Sequence, residues 1–199
     1  MNESSEILEN LINSFAKLPG IGRKTARRLA YFIINSDSST AGDFARSVIE
    51  AKNKLGLCSI CYNLTEHDTC EICRDNRRDT GIICVVENFS DLYLFEKLSI
   101  HKGSYHVLGG LISPLDGINP SSLKLSQLFD RIDNNDVSEL IIGLNHSVEG
   151  DTTALYIADR LKNKNIKISR LATGIPIGGE IEYTDEITLK QAFRDRKNI

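Results

Sequence analysis

The sequence predicts an α/β protein with a helical region at its N-terminus and a metal-binding segment ahead of its sheet. Three observations support this fold class. Apolar residues recur at helical spacing through the first 55 residues. Two Cys-x-x-Cys pairs follow between residues 58 and 73. From residue 81 onward, short apolar runs alternate with amphipathic segments, as in a mainly parallel sheet with crossover helices.

The composition is that of a soluble globular protein, with 41% hydrophobic and 26% charged residues among 199. A net charge of −3 excludes a protein coated in positive charge, so any nucleic-acid surface must be a local patch. No apolar run approaches the ~20 residues that span a bilayer. The first six residues are polar and acidic, unlike a secretory signal. We therefore expect a cytoplasmic protein with reduced thiols.

Three helices are expected first. Leu8, Leu11, Ile12 and Phe15 follow helical spacing, and a second stripe runs from Ala26 to Ile33. A third stripe runs from Phe44 to Leu55, behind a cluster of possible N-cap residues at 36–40.

The α/β pattern then predicts four strands with helices between them. We expect strands at 82–86, 105–108, 140–144 and 166–171, and helices at 92–98, 123–132 and 154–161. A Gly-rich loop at 174–179 leads to a last helix at 186–196.

A basic segment joins the first two helices. Gly20 and Gly22 allow a tight turn and leave backbone N–H groups open at the start of the next helix, where an anion is favoured. Arg23, Lys24 and Arg27 come directly after this turn. With Lys17 and Arg28, the stretch 17–28 holds five basic residues and no acidic one. The pattern resembles a helix-hairpin-helix, which binds the DNA backbone without reading sequence, and the alternative is an ordinary αα-turn with a solvated basic face.

The four cysteines of the two pairs predict a closed zinc site. Each pair can direct two thiolates at one point, and together they complete a tetrahedron. The predicted ligands are Cys58, Cys61, Cys70 and Cys73. Redox cysteines and an iron–sulfur cluster are the alternatives. His67 lies between the pairs and is expected to be an exposed bystander, whereas Cys84 lies in an apolar run and is expected in the core.

Acidic residues follow two of the predicted strands. Glu87 comes after the first, and Glu149 and Asp151 come after the third. Carboxylates at the carboxyl ends of parallel strands converge on the usual ligand crevice, where they could hold Mg²⁺. This arrangement resembles the Toprim domain of topoisomerases and primases, in which a Glu and an Asp-x-Asp pair serve phosphoryl chemistry. Here the pair is Glu-x-Asp, and the alternative is that these acids are solvated or cap a helix.

Taken in order, these motifs resemble the RecR family of bacterial recombination mediators over nearly the whole chain. The motifs are Leu18-Pro19-Gly20-Ile21-Gly22, the two cysteine pairs, Ile83 to Glu87, Tyr105 to Gly110 with Ile112 to Gly117, Val148-Glu149-Gly150, and Gly178 to Tyr183. The chain departs from the family at Asn145-His146-Ser147, where Asn-Pro-Thr is more usual.

The resemblance implies a protein that is not an enzyme. RecR proteins form ring-like homo-oligomers, usually tetramers, that can encircle DNA. With RecO, and often RecF, they load RecA on gapped or single-stranded DNA. Their Toprim domain is regarded as a partner-docking surface, which assigns Glu87, Glu149 and Asp151 to partner binding. The competing hypothesis is a Mg²⁺-dependent Toprim nuclease or nucleotidyl transferase that uses the same three acids.

The motifs also set expected domain boundaries. We expect a DNA-binding helix-hairpin-helix region at 1–55, a zinc finger at 56–76, a Toprim domain at 79–173 and a C-terminal oligomerisation arm at 174–199. The arm carries the basic residues Arg194, Arg196 and Lys197, which are the next candidates for DNA contact if the hairpin is not used.

Overall fold

The computed structural model describes residues 5–196, and the chain divides into two compact units between Leu55 and Gly56. The first unit holds α1 (Glu6–Ala16), α2 (Arg23–Asn35) and α3 (Ser38–Lys54). Ile12, Ala26 and Ala30 form its small buried centre, because two alanines on α2 let α1 approach closely. Asp37 caps α3 by accepting from the Thr40 amide at 2.7 Å, which confirms the predicted capping cluster.

The second unit begins with the cysteine segment. The two-residue strands β1 (Gly56–Leu57) and β2 (Leu64–Thr65) pair antiparallel, and the short helix α4 (Glu71–Arg74) follows. These elements are too short to have a hydrophobic core of their own.

A four-stranded parallel sheet forms the body of this unit. Its strands are β3 (Asp79–Val86), β4 (Gly103–Val107), β5 (Glu139–Gly143) and β6 (Lys167–Arg170), in the order β4-β3-β5-β6. The connecting helices are α5 (Phe89–Leu98), α6 (Leu125–Asp133) and α7 (Val148–Leu161). The predicted α/β class and all four strands are confirmed.

The alternation of side chains along β3 explains how the two faces of the sheet are covered. Ile83 and Val85 point to the face covered by α6 and α7, where Leu128 and Ile157 are fully buried. Cys84 and Val86 point to the other face, which is covered by α5 and by residues of the cysteine segment. Cys84 is therefore a core residue, as predicted, and burial raises its pKa to about 12.

Between residues 174 and 196, the described part of the C-terminal arm, no residue is buried. The arm contains a 3₁₀ turn at Ile181–Tyr183 and the helix α8 (Glu186–Arg194), and neither holds a buried residue. Within the described part of the chain, no helix is both long and apolar enough to cross a membrane.

Candidate functional site

The four predicted ligand cysteines converge. The Sγ atoms of Cys58, Cys61, Cys70 and Cys73 all lie within 4.8 Å of one another, and those of Cys61 and Cys70 are 3.5 Å apart. Thiolates around one zinc at about 2.3 Å would stand ~3.8 Å apart, so the cluster fits a tetrahedral zinc site. Among residues 5–196, this is the single group of three or more His, Cys, Asp or Glu side chains that could hold a metal.

Hydrogen bonds link the cysteines of the cluster. The Cys70 amide donates to Cys58 Sγ at 3.3 Å. Hydrogen bonding from the Cys61 thiol lowers the pKa of Cys70 to about 2, and the same hydrogen bond raises the pKa of Cys61. A closed set of four soft sulfur donors is what zinc selects, and it leaves no coordination position for a reacting water. His67 is exposed and is not a member of the group, as expected.

The cysteine segment is attached to the edge strand β4. The Cys61 carbonyl accepts a hydrogen bond from the Val107 amide at 2.8 Å, so a ligand residue is bonded to the edge strand of the sheet. Tyr62 has a positive φ of 63° and packs edge-on against His106, with ring centroids 5.4 Å apart. The cysteine segment therefore contributes one backbone partner to β4, whose Gly103 and Tyr105 carbonyls accept from Arg78 and Arg131.

The hairpin of the first unit presents most of its cations to solvent. Gly20 has a φ of 78°, which a residue with a side chain adopts at a cost, and Gly22 is the N-cap of α2. Lys24 and Arg27, from the first turns of α2, are exposed and form no ion pair within the described residues, and the same is true of Arg28. Arg28 was not among the DNA contacts predicted from the sequence, but its exposure adds it to the candidate contact residues.

Arg23 differs from these cations because it is already paired. Its Nη2 donates to Glu9 Oε2 at 2.7 Å, and Nη1 lies 3.4 Å from Asn13 Oδ1. Both partners are on α1, so Arg23 ties the two helices of the hairpin together. The structure thus separates one bridging arginine from the free cations.

The carboxylates of the predicted crevice do not all follow a strand. Glu87 lies directly after β3, as predicted, but Glu149 and Asp151 lie inside the first turn of α7, which begins at Val148. The expectation that this pair precedes the helix is therefore wrong. The helix starts earlier because Ser147 caps it by accepting from the Gly150 amide at 3.1 Å.

The residue that meets Glu87 is neutral. Asn145 Nδ2 donates to Glu87 Oε2 at 3.2 Å, whereas Asp151 is paired with Arg170 at 2.6 Å. We use "acidic crevice" for this group at the carboxyl edge of the sheet: Glu87, Asn145, Glu149, Asp151 and Arg170. Sequence reasoning missed Asn145 and Arg170 as members, although their place at strand ends is the same signal that identified Glu87.

The tail cations are only partly described. Arg194 ends α8, and the guanidinium of Arg196 stacks over the Phe193 ring at 5.3 Å. Lys197 lies outside the described residues.

Comparisons with known proteins match the order of these parts along the chain. The matching family descriptions are RecR, helix-hairpin-helix over residues 8–52; RecR, four-cysteine zinc finger domain over 55–75; Toprim domain over 81–172; and RecR, C-terminal over 174–197. The zinc-finger match and the convergent thiolates identify zinc as the metal.

One curated relative matches over almost the full length. Recombination protein RecR of Staphylococcus aureus is 46% identical over 194 residues, which is 98% of this chain and 98% of the relative. With a paired-helix hairpin, a four-cysteine zinc site and a parallel sheet in the same order, the chain belongs to the RecR family of recombination proteins.

Proposed function

We propose that this chain is a non-enzymatic, cytoplasmic mediator of recombinational DNA repair. It forms a ring-like clamp on DNA and, with RecO and often RecF, helps to load RecA on gapped or single-stranded DNA. The observation that carries this proposal is the group of exposed cations, Lys24, Arg27 and Arg28, which have no ion-pair partner among residues 5–196 and lie beside the glycine turn of a helical hairpin.

DNA is held through its backbone in this proposal. Phosphate oxygens accept from the open N–H groups near Gly20 and Gly22, and Lys24 and Arg27 supply charge on the same side of the turn. Arg23 contributes as well, after it leaves Glu9. Contacts of this kind position a phosphate backbone and carry no base information, so binding is independent of sequence.

The clamp requires several copies, and we assign their pairing to two of the groups of exposed apolar side chains, those on α3 and on the arm. On α3 no residue is buried, and Phe44, Val48 and Ile49 are each at least half exposed. On the arm, Ile181, Ile187 and Phe193 are exposed by 63%, 81% and 72%. Apolar surface on this scale marks interaction sites, and two separate patches are what a closed ring, here a tetramer, needs.

The acidic crevice is the proposed docking surface for a partner protein. Glu87 and Glu149 form no ion pair within the described residues and so can meet a basic surface on RecO. A crevice with one arginine and one amide among its carboxylates is poorly suited to hold Mg²⁺. This favours docking over the competing nuclease or nucleotidyl transferase function.

Charge reversal in the hairpin tests the proposal. Arg27→Glu should weaken binding to all DNA sequences equally and should reduce the log–log salt slope by about 0.9 for each duplex phosphate that is no longer neutralised. The matched control is Lys52→Glu, which makes the same charge change on α3. DNA binding by Arg27→Glu with wild-type affinity and salt slope would remove the hairpin from the interface.

A second assay distinguishes the mediator from the enzyme. Labelled duplex and gapped DNA are incubated with the protein in the presence and absence of Mg²⁺, and no cleavage is expected. Mg²⁺-dependent cleavage that is abolished in both Glu87→Gln and Asp151→Asn would establish the enzyme instead.

A further inference from the structure

Arg170 is a cation inside the acidic crevice. It is the last residue of β6, so its side chain emerges at the same edge of the sheet as Glu87. Its Nη2 donates to Asp151 Oδ1 at 2.6 Å and to the Asn145 main-chain oxygen at 3.2 Å. The side chain is 28% exposed, and this half-buried arginine joins β6 to α7 and to the loop before it.

The loop that receives Arg170 is held from several sides. A Cβ on Gly150 would stand 2.0 Å from the Asn145 oxygen, so only glycine lets the first turn of α7 approach that carbonyl. The Nε2 of His146 is 3.2 Å from the Leu171 oxygen, which is a second link to the end of β6. The side-chain amide of Asn145 donates to Glu87, so the position of the loop also fixes the position of this carboxylate.

The oxygens that Arg170 contacts are the kinds that a divalent cation would take. Mg²⁺ and Ca²⁺ bind carboxylate oxygens, and Ca²⁺ also binds main-chain carbonyl oxygens. Here the Asp151 carboxylate and the Asn145 carbonyl both accept from the guanidinium of Arg170, which is always positively charged. Among residues 5–196, no three carboxylates or histidines converge at this edge of the sheet.

We propose that Arg170 occupies the cation position of the acidic crevice and positions the 145–151 loop, so that a basic partner docks there without a divalent metal. Arg170 is a positioning residue, because it acts through Asn145 and Asp151 and leaves Glu87 and Glu149 to face the partner. The claim that a basic partner docks here rests on the proposed function, whereas the claim that Arg170 occupies the cation position does not.

The first experiment measures Mn²⁺ binding to the full-length zinc-loaded protein from the electron paramagnetic resonance signal of free Mn²⁺. The wild type and the matched control Arg160→Met should bind none at this edge. Arg170→Met should gain one weak site, which the further change Asp151→Asn removes. Arg170→Lys keeps the charge and should exclude Mn²⁺ as the wild type does. Zinc content and thermal melting verify that each variant is folded.

The second experiment measures RecO affinity with and without added Mg²⁺. Wild type and Arg160→Met should bind equally in both buffers. Arg170→Met should bind about tenfold more weakly without Mg²⁺ and should recover part of that loss with it, which a merely structural residue would not do.

The outcomes separate the two ideas. Mn²⁺ binding by the wild type that equals that of Arg170→Met, or no gain of a site in Arg170→Met, would overturn the cation assignment. A loss of RecO affinity in Arg170→Met that Mg²⁺ leaves unchanged would overturn the positioning role. If even the wild type does not bind RecO, the proposed docking fails, while the Mn²⁺ result still decides the role of Arg170.

Discussion

His106 lies fully buried on β4, beneath the aromatic ring that the zinc segment contributes. Its Nε2 donates to the Lys124 carbonyl at 2.8 Å, and its Nδ1 has no hydrogen-bond partner among the described residues. Burial lowers the pKa of His106 to about 4, and the nearby positive charge of Arg131 adds to the effect. The ring is therefore neutral at neutral pH, and its position couples the finger, the edge strand and the start of α6.

This histidine should make the stability of the protein depend on pH. The folded-state pKa lies below the ordinary value of 6.5, so the unfolded chain binds the extra proton first as the pH falls. The contribution of His106 is complete above pH 6.5 and declines as the pH falls towards 4, with a loss of about 2 kcal/mol by pH 5. Urea unfolding at pH 7 and pH 5 should show a smaller pH-dependent loss for His106→Gln than for the wild type.

The exposed His67 provides the control for that measurement. His67→Gln should retain the pH dependence of the wild type, because it removes an exposed imidazole and leaves the buried one in place. Equal losses for the wild type and His106→Gln would show that other groups, such as the thiolates, dominate the acid sensitivity.

The ion pair of Arg23 should tune the proposed DNA interface. Its bond to Glu9 must break before it can bind a phosphate, and an exposed pair of this kind contributes at most ~1 kcal/mol. Arg23→Ala should therefore weaken DNA binding less than Arg27→Ala does. Glu9→Gln should strengthen it up to about fivefold, because Arg23 is released and a negative charge is removed.

Fluorescence anisotropy with labelled DNA measures these changes. Glu50→Gln is the matched control, because it removes the same charge from an ion pair on α3. A Glu9→Gln variant that binds DNA more weakly than the wild type would show that the bridge itself, rather than the free arginine, supports the interface.

Among the elements, the zinc finger is the one that we expect to depend on its metal for structure. Its strands have two residues each, and its buried cluster consists mainly of the cysteines themselves. It is attached to β4 through the Cys61 carbonyl and the Tyr62 ring. Loss of the metal should therefore disorder the finger and leave the Val107 amide without its partner, which opens part of the strand edge to aggregation.

Cysteine substitution measures this dependence. The wild type should contain about one zinc per chain, and Cys58→Ser or Cys70→Ser should lose it, with a lower thermal midpoint and greater aggregation. Structural zinc contributes roughly 10–16 kcal/mol of apparent binding free energy in small peptides, so the effect should be large. Cys84→Ala is the control, because it removes a buried thiol outside the cluster and should keep the zinc. Full thermal stability of a zinc-free Cys58→Ser protein would refute the structural role.

At the scale of the whole molecule, the arm exposes apolar side chains that the chain's own core does not cover. Ile187 and Phe193 lie on α8, which has no buried residue. Such surface is costly in water unless another chain covers it, at roughly 25 cal/mol for each Å² left exposed. The arm is therefore suited to contact a second copy.

Light scattering tests this assembly. The wild type should form a closed homo-oligomer, whereas a variant with both Ile187→Ser and Phe193→Ser should shift to a smaller mass. Lys162→Ser, at the exposed end of α7, is the control and should leave the mass unchanged. A wild-type protein that is monomeric at every concentration, with or without DNA, would contradict the clamp.

The sequence by itself determined the zinc ligands, the α/β class, the four strands and the core position of Cys84. These features depend on local spacing and on apolar periodicity, which can be seen in the sequence without knowledge of the tertiary structure. Two Cys-x-x-Cys pairs this close in sequence have few arrangements other than a shared metal site. A continuous apolar run such as Ile82 to Val86 is stable only in a strand that is buried on both faces.

Tertiary structure alone decided which charges meet. The sequence placed Arg23 among the expected DNA contacts and Asp151 among the expected partner-binding acids, and the structure pairs the first with Glu9 and the second with Arg170. The structure also places the Asn145 amide, rather than a carboxylate, against Glu87. Ion pairs between residues 14 and 19 positions apart leave no periodic trace in the sequence, because they depend on how helices and strands pack rather than on local spacing.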